Sequence, residues 1–149
     1  MIWSGRGSCA YIIDAEHIKK YKNMIKKYKI LIVDDDKFLL DMYVVKFTQS
    51  EFEVESSLGA EEALSKLQGG INPSVILTDI LMPGMDGFEF LQQIKEIGLA
   101  TDAKIIILSN KGERSDIERG VSLGVDGYIV KASAIPSEVV AKVKEIIQK

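Results

Sequence analysis

Short continuous apolar runs dominate the hydrophobic pattern of this chain. Ile30-Leu31-Ile32-Val33, Val75-Ile76-Leu77-Thr78, Ile105-Ile106-Ile107-Leu108 and Tyr128-Ile129-Val130 are rich in β-branched residues. Such runs suit strands covered on both faces, as in a parallel sheet. One segment differs. Phe52 and Val54 alternate with Glu51, Glu53 and Glu55, which predicts a half-exposed edge strand. Helical spacing fills the gaps: Phe38 to Phe47, then Ala60, Ala63, Leu64 and Leu67, then Phe88, Leu91 and Ile94. Ile117, Val121 and Leu123 mark a weaker helix softened by Gly120. Val139, Val140, Val143, Ile146 and Ile147 form the last stripe, with Pro136 suited to its first turn.

Five strands alternating with five helices predict an α/β fold, a doubly wound five-stranded parallel sheet. Right-handed crossovers leave few topologies, and the flavodoxin-like order 2-1-3-4-5 is the expected one. In that order the chain reverses between strands 1 and 3, and ligands bind there, beyond the carboxyl ends of the strands. An extra N-terminal helix precedes this unit. Ile18, Tyr21, Ile25 and Tyr28 fall at three- and four-residue spacing between Asp14 and Tyr28, with lysines among them. The Gly/Ser-rich stretch Ser4 to Ser8 reads as a disordered lead-in. The expected division is an extension over 1–28 and one domain over 29–149, with no room for a second domain after it.

Composition adds exclusions. With 149 residues, 46% apolar and 28% charged, the chain has an ordinary soluble make-up and enough length for a substantial core. No apolar run approaches the ~20 residues of a membrane span, and no signal-peptide pattern is visible. Cys9 is the only cysteine, so no internal disulfide or cysteine metal site forms. A cytoplasmic location and no membrane partner are the expectations. Charge is uneven: residues 1–29 carry seven Lys/Arg against two Asp/Glu, leaving twelve against twenty for the remainder. A basic head of this kind can touch nucleic acid or an acidic partner, or be a solvated helix face. The solvated face is the expectation, with no direct nucleic-acid contact.

The chemistry lies in what each strand delivers at its carboxyl end. Strand 1 delivers Asp34, Asp35 and Asp36, strand 3 Asp79, strand 4 Ser109 and strand 5 Lys131. Clustered carboxylates repel, and protonation, moving apart or a bound cation relieves them. Oxygen ligands without His or Cys favour Mg²⁺, which also takes phosphate oxygens. A lysine and a hydroxyl on the same rim can balance and hydrogen-bond a phosphoryl group, and a carboxylate can be the nucleophile. Asp36 reads as a helix cap, not a ligand. His17 reads as structural, and Ser109 without an adjacent His is a poor hydrolase nucleophile.

These stretches resemble the response-regulator receiver domain of two-component signalling. The resemblance rests on Ile30-Leu-Ile-Val-Asp-Asp-Asp36, Leu77-Thr-Asp-Ile-Leu-Met-Pro-Gly-Met-Asp-Gly87, Ile107-Leu-Ser109 and Gly124-Val-Asp-Gly-Tyr-Ile-Val-Lys131, and covers about residues 29 to 149. It implies that Asp79 is the phosphoacceptor. It implies Mg²⁺ held by Asp34, Asp35, Asp79 and the backbone carbonyl of Leu81, with Asp35 the more direct of the acidic pair. Lys131 and Ser109 stand at the family's lysine and Ser/Thr positions, and Tyr128 at its aromatic switch. Phosphorylation would draw Ser109 inward, with Tyr128 following, and repack the face of the domain's fourth helix, fifth strand and last helix. The implied donor is a histidine kinase or phosphotransfer protein. The reader is an unknown downstream protein effector, and the chain is a switch with slow self-dephosphorylation.

Two positions depart from the pattern. Ala132 follows Lys131 where the family often has a cis proline, and a trans bond is expected because a non-proline cis bond costs about 2.5–4 kcal/mol. Asn110 stands where a small residue is common. Other readings compete. Asp34-x-Asp36 superficially matches the nucleophile motif of haloacid-dehalogenase-type phosphohydrolases, but no cap or late acidic pair accompanies it. Nucleotide or flavin binding lacks a Gly-rich loop. A module that has lost phosphate acceptance conflicts with the complete rim. The N-terminal helix could form a homodimer, dock on its own domain, or be an upstream extension with Met24 as an alternative start.

Overall fold

The computed structural model describes residues 12–25 and 27–148. The Ser4 to Ser8 stretch and Cys9 lie outside them. The apolar runs become β1 (Lys29–Asp34), β3 (Val75–Thr78), β4 (Lys104–Ser109) and β5 (Gly127–Val130), and the alternating segment becomes β2 (Glu53–Leu58). All pairings are parallel and the order is β2-β1-β3-β4-β5, as the pattern predicted. Helices α1 (Ala15–Ile25), α2 (Lys37–Gln49), α3 (Ala60–Gln68), α4 (Gly87–Ile97), α5 (Arg114–Ser122) and α6 (Pro136–Ile147) complete the described chain, with a 3₁₀ turn at Lys131–Ser133.

Side chains alternate across a strand, so each continuous run feeds two cores. Ile30, Ile32, Leu77, Ile106 and Leu108 meet Leu40, Tyr43 and Phe47 of α2 and Val139, Val140 and Val143 of α6. Leu31, Val33, Ile76 and Ile107 meet Ala63 and Leu67 of α3 and Phe88, Leu91 and Ile94 of α4. Full burial of a side chain such as Phe47 is worth roughly 1.5–3 kcal/mol. Caps fix the helix starts beside the rim. Asp36 accepts from the Leu39 N–H at 3.1 Å, as the cap reading anticipated, and Asp86 accepts from the Glu89 N–H at 2.8 Å. Gly98 ends α4 in the left-handed region at φ 82°.

Two boundaries differ from the sequence reading. The helical spacing carried the first helix to Tyr28, but α1 ends at Ile25 and Tyr28 packs against Phe52 and the α2 core instead. Its carbonyl accepts from the Glu53 N–H at 2.9 Å, which starts the β1–β2 pairing. Phe52, counted in the alternating strand, lies just ahead of β2, buried edge-on to Phe47 with ring centroids 5.1 Å apart. Aromatic packing at this corner outweighs the local periodicity.

Candidate functional site

Asp34 ends β1, Asp79 follows β3, Ser109 ends β4 and Lys131 follows β5. Parallel strands put these four ends on one rim, and the β1–β3 pairing brings two carboxylates together: the Asp79 N–H donates to the Val33 carbonyl at 2.9 Å. Asp34, Asp79 and Ser109 are buried, at 3%, 8% and 1% exposure. Burial of charge demands partners. Lys131 Nζ supplies them, 2.7 Å from Asp34 Oδ2 and 2.8 Å from Asp79 Oδ2. Backbone donors take the remaining oxygens: the Asp36 N–H donates to Asp34 Oδ1 at 3.0 Å, and the Ile80 N–H to Asp79 Oδ1 at 2.7 Å.

One ammonium serves two buried carboxylates. Burial pushes the Asp34 carboxyl above the usual carboxylate range, against the opposing pull of Lys131 and the Asp36 N–H. Burial alone would lower Lys131, but hydrogen bonds to Asp34 and Asp79 outweigh it and raise the ammonium above its ordinary value. Asp35 is exposed at the mouth, and one oxygen from each of Asp34, Asp35 and Asp79 lies within 4.8 Å of the others. Three carboxylates against one ammonium leave two negative charges over. An all-oxygen cluster with this charge fits Mg²⁺, the ion that receiver domains hold at such an acidic pocket.

The other expected residues surround this centre. Leu81 lies two residues past Asp79 with its side chain exposed. The Lys131–Ala132 bond is trans, and the 3₁₀ turn closes through the Ala134 N–H donating to the Lys131 carbonyl at 3.2 Å, so proline is not needed to place the lysine. Asn110 is exposed beside Ser109. Ser109 Oγ accepts from the Lys111 N–H at 3.2 Å, and the Tyr128 hydroxyl donates to the Lys111 carbonyl. Burial, then the charges of Asp116 and Asp79, push Tyr128 up to about 12. His17 is exposed, with Nδ1 2.6 Å from Asp14 Oδ1, at the start of α1 and far in sequence from the rim.

Two residues escaped the sequence reading. Lys111 joins Ser109 to Tyr128 through its own peptide, and its spacing two residues after Ser109 was the available signal. Gly87 entered the sequence reading only as the end of the Leu77 to Gly87 stretch. A Cβ there would stand 2.1 Å from the Asp79 carbonyl oxygen and 2.8 Å from Ile80 Cα. Only glycine lets α4 start against the acceptor's own backbone.

A family comparison agrees with this architecture. The response regulator receiver domain matches residues 30–144, and the chain belongs to that family. The transcriptional regulatory protein ResD of Bacillus subtilis is 34% identical over 122 residues, covering 81% of this chain and 48% of that protein. The chain spans about half the length of the curated relatives it matches. Among solved structures, the Vibrio cholerae chemotaxis protein CheY4 aligns with a TM-score of 0.74 at 26% identity, covering 81% of this chain and 99% of that one. The Thermotoga maritima response regulator TrrA, solved in complex with Mg²⁺-BeF, aligns at 0.68 with 32% identity, covering 80% and 98%. The chain is thus a receiver domain of two-component response regulators, a class of phospho-switches that interact with histidine kinases and downstream effectors. Among the described residues no helix is long and apolar enough to cross a membrane.

Proposed function

We propose that Asp79 accepts a phosphoryl group from a phosphohistidine donor, a histidine kinase or phosphotransfer protein. The observation that carries this is the single ammonium of Lys131 held between Asp34 and Asp79 beside the free carboxylate of Asp35. A carboxylate oxygen of Asp79 forms the new O–P bond while the donor's N–P bond breaks, and the imidazole leaves with the electron pair. Lys131 balances the equatorial oxygens, and Ser109, an acceptor from Lys111 here, keeps its own proton to donate to one of them. Asp34, Asp35, Asp79 and the Leu81 carbonyl would hold Mg²⁺, with Asp35 the more direct of the Asp34 and Asp35 pair. The ion would supply neutralising charge to the transferring phosphoryl oxygens.

Engaging Ser109 would free the Lys111 N–H and loosen the peptide that also holds the Tyr128 hydroxyl. That couples the acceptor to the α5, β5 and α6 surface, which a protein effector would read. The receiver unit spans residues 29–149 and residues 1–28 form an extension. The unit acts in the cytoplasm as a switch with at most slow self-dephosphorylation, without metabolic turnover. The test is intact mass after incubation with Mg²⁺ and a small acyl phosphate. One added phosphoryl group is expected, lost in Asp79→Asn. Unchanged labelling of that variant overturns the assignment.

A further inference from the structure

Helix α1 carries an apolar stripe that no described residue buries. Ile12, Ile13, Ile18 and Tyr21 are all exposed, and no described side chain of residues 12–22 is buried. An isolated helix of 11 residues is marginal in water, and covering its apolar stripe would stabilise it. The same helix holds Lys19, Lys20 and Lys22, followed by Lys27 and Lys29, against Glu16 and the Asp14 bonded to His17. Residues 1–13 contain Arg6 and no acid, and bring Ile2, Trp3 and Tyr11. A basic polar face, an apolar stripe and low overall hydropathy together define an interfacial helix.

We propose that α1 binds the surface of an anionic lipid bilayer. Other occupants satisfy only half of the chemistry. Pairing with α1 of a second copy would cover the apolar stripe but leave the lysines of both helices without an anionic partner. The acidic edge at Glu51, Glu53 and Glu55 would attract the lysines, but on β2 it offers Ile18 and Tyr21 only Leu58 as an exposed large apolar side chain. Nucleic acid takes the lysines and leaves the isoleucines in water. Lipid headgroups meet the lysines while the acyl boundary covers Ile18 and Tyr21. The sequence expectation of no membrane contact rested on the lack of a spanning run, and an interfacial helix requires none. The placement also suits the domain. α1 enters the sheet at Lys29, the amino end of β1, and the carboxylate rim lies at the opposite end, at Asp34. Bilayer binding through α1 leaves the acceptor facing away from the lipid.

The experiment is co-sedimentation of the full chain with vesicles of equal parts phosphatidylcholine and phosphatidylserine, against pure phosphatidylcholine vesicles. Binding is expected only to the anionic vesicles, weakening as salt rises. Replacing Lys19, Lys20 and Lys22 together by Gln is expected to weaken it about a hundredfold, at roughly one surface-charge contribution per lysine. Ile18→Asp with Tyr21→Asp is expected to abolish it while retaining labelling of Asp79. Asp79→Asn should bind vesicles like the parent, which separates this inference from the phosphoacceptor reading. Equal sedimentation with both vesicle types, or none with either, overturns the proposal. A self-association that the Ile18 and Tyr21 changes dissolve, without vesicle binding, overturns it in favour of a second copy.

Discussion

The two ends of the sheet solve opposite problems. At the carboxyl end, charged groups are buried and every oxygen of Asp34 and Asp79 has a donor. At the amino end, α1 leaves apolar groups in solvent. Buried charge is tolerable only where several elements converge to supply partners. Four strand ends converge at the rim, and none converges on α1. Removing one partner from the buried rim should therefore cost far more than a substitution on α1.

Lys131→Ala should give the largest stability loss at the rim, about 3 kcal/mol, because it leaves two buried carboxylates facing each other without their cation. Urea unfolding in metal-free buffer measures it. Added Mg²⁺ should recover part of the loss by restoring positive charge. An unchanged midpoint would mean that the rim is solvated and the comparison fails.

The rim was largely legible in the sequence because its residues sit at the ends of runs that cannot be anything but buried strands. Asp34, Asp79, Ser109 and Lys131 each follow directly from where a β-branched run stops. The strand order was legible for the same reason, together with the handedness of crossovers. Partner geometry was not. No spacing rule shows that one lysine bonds both Asp34 and Asp79, or that the Lys111 peptide links Ser109 to Tyr128. Periodicity also misled at the amino end. Tyr28 lies in phase with Ile18, Tyr21 and Ile25, but contact with Phe52 decides its place, and contacts between segments distant in sequence leave no periodic trace.

Gly87→Ala should cost about 2 kcal/mol, the range for forcing an extra carbon into packed surroundings. The obstructing atoms are backbone, so no side chain can yield. Slower phosphoryl labelling of Asp79 should accompany the loss, since the displaced atoms are the acceptor's own carbonyl and its neighbour. Parent-like unfolding and labelling would place α4 further from the rim than the structure has it.

Alkaline pH reaches the rim by a gentler route. Tyr128 is raised in the folded state to about 12, from the ordinary tyrosine value of 10.0. A raised folded pKa means that the folded state holds the proton more tightly. The stabilisation is therefore complete below pH 10 and disappears as pH rises through the folded value. Comparing the parent with Tyr128→Phe across this window isolates the effect, because the titrating lysines are common to both. The parent's advantage should shrink as pH rises, and parallel curves would mean that the ring is not buried beside Asp116 and Asp79.

The smallest effect, at α1, is read against the same residue type buried in the sheet. Ile30 is fully buried at 0% exposure and Ile18 is 43% exposed. Ile30→Ala removes methylenes from a filled core and should cost about 2–5 kcal/mol. Ile18→Ala removes the same atoms from a surface that no described residue covers, and should change the urea midpoint by no more than about 0.5 kcal/mol. Alanine is also the better helix former, which offsets part of any lost contact. The measurement should be made in lipid-free buffer, where only the domain's own packing contributes. A loss at Ile18 comparable to that at Ile30 would mean that α1 docks on the domain in solution. Its apolar stripe would then belong to the fold, and the contrast between the two ends of the sheet would disappear.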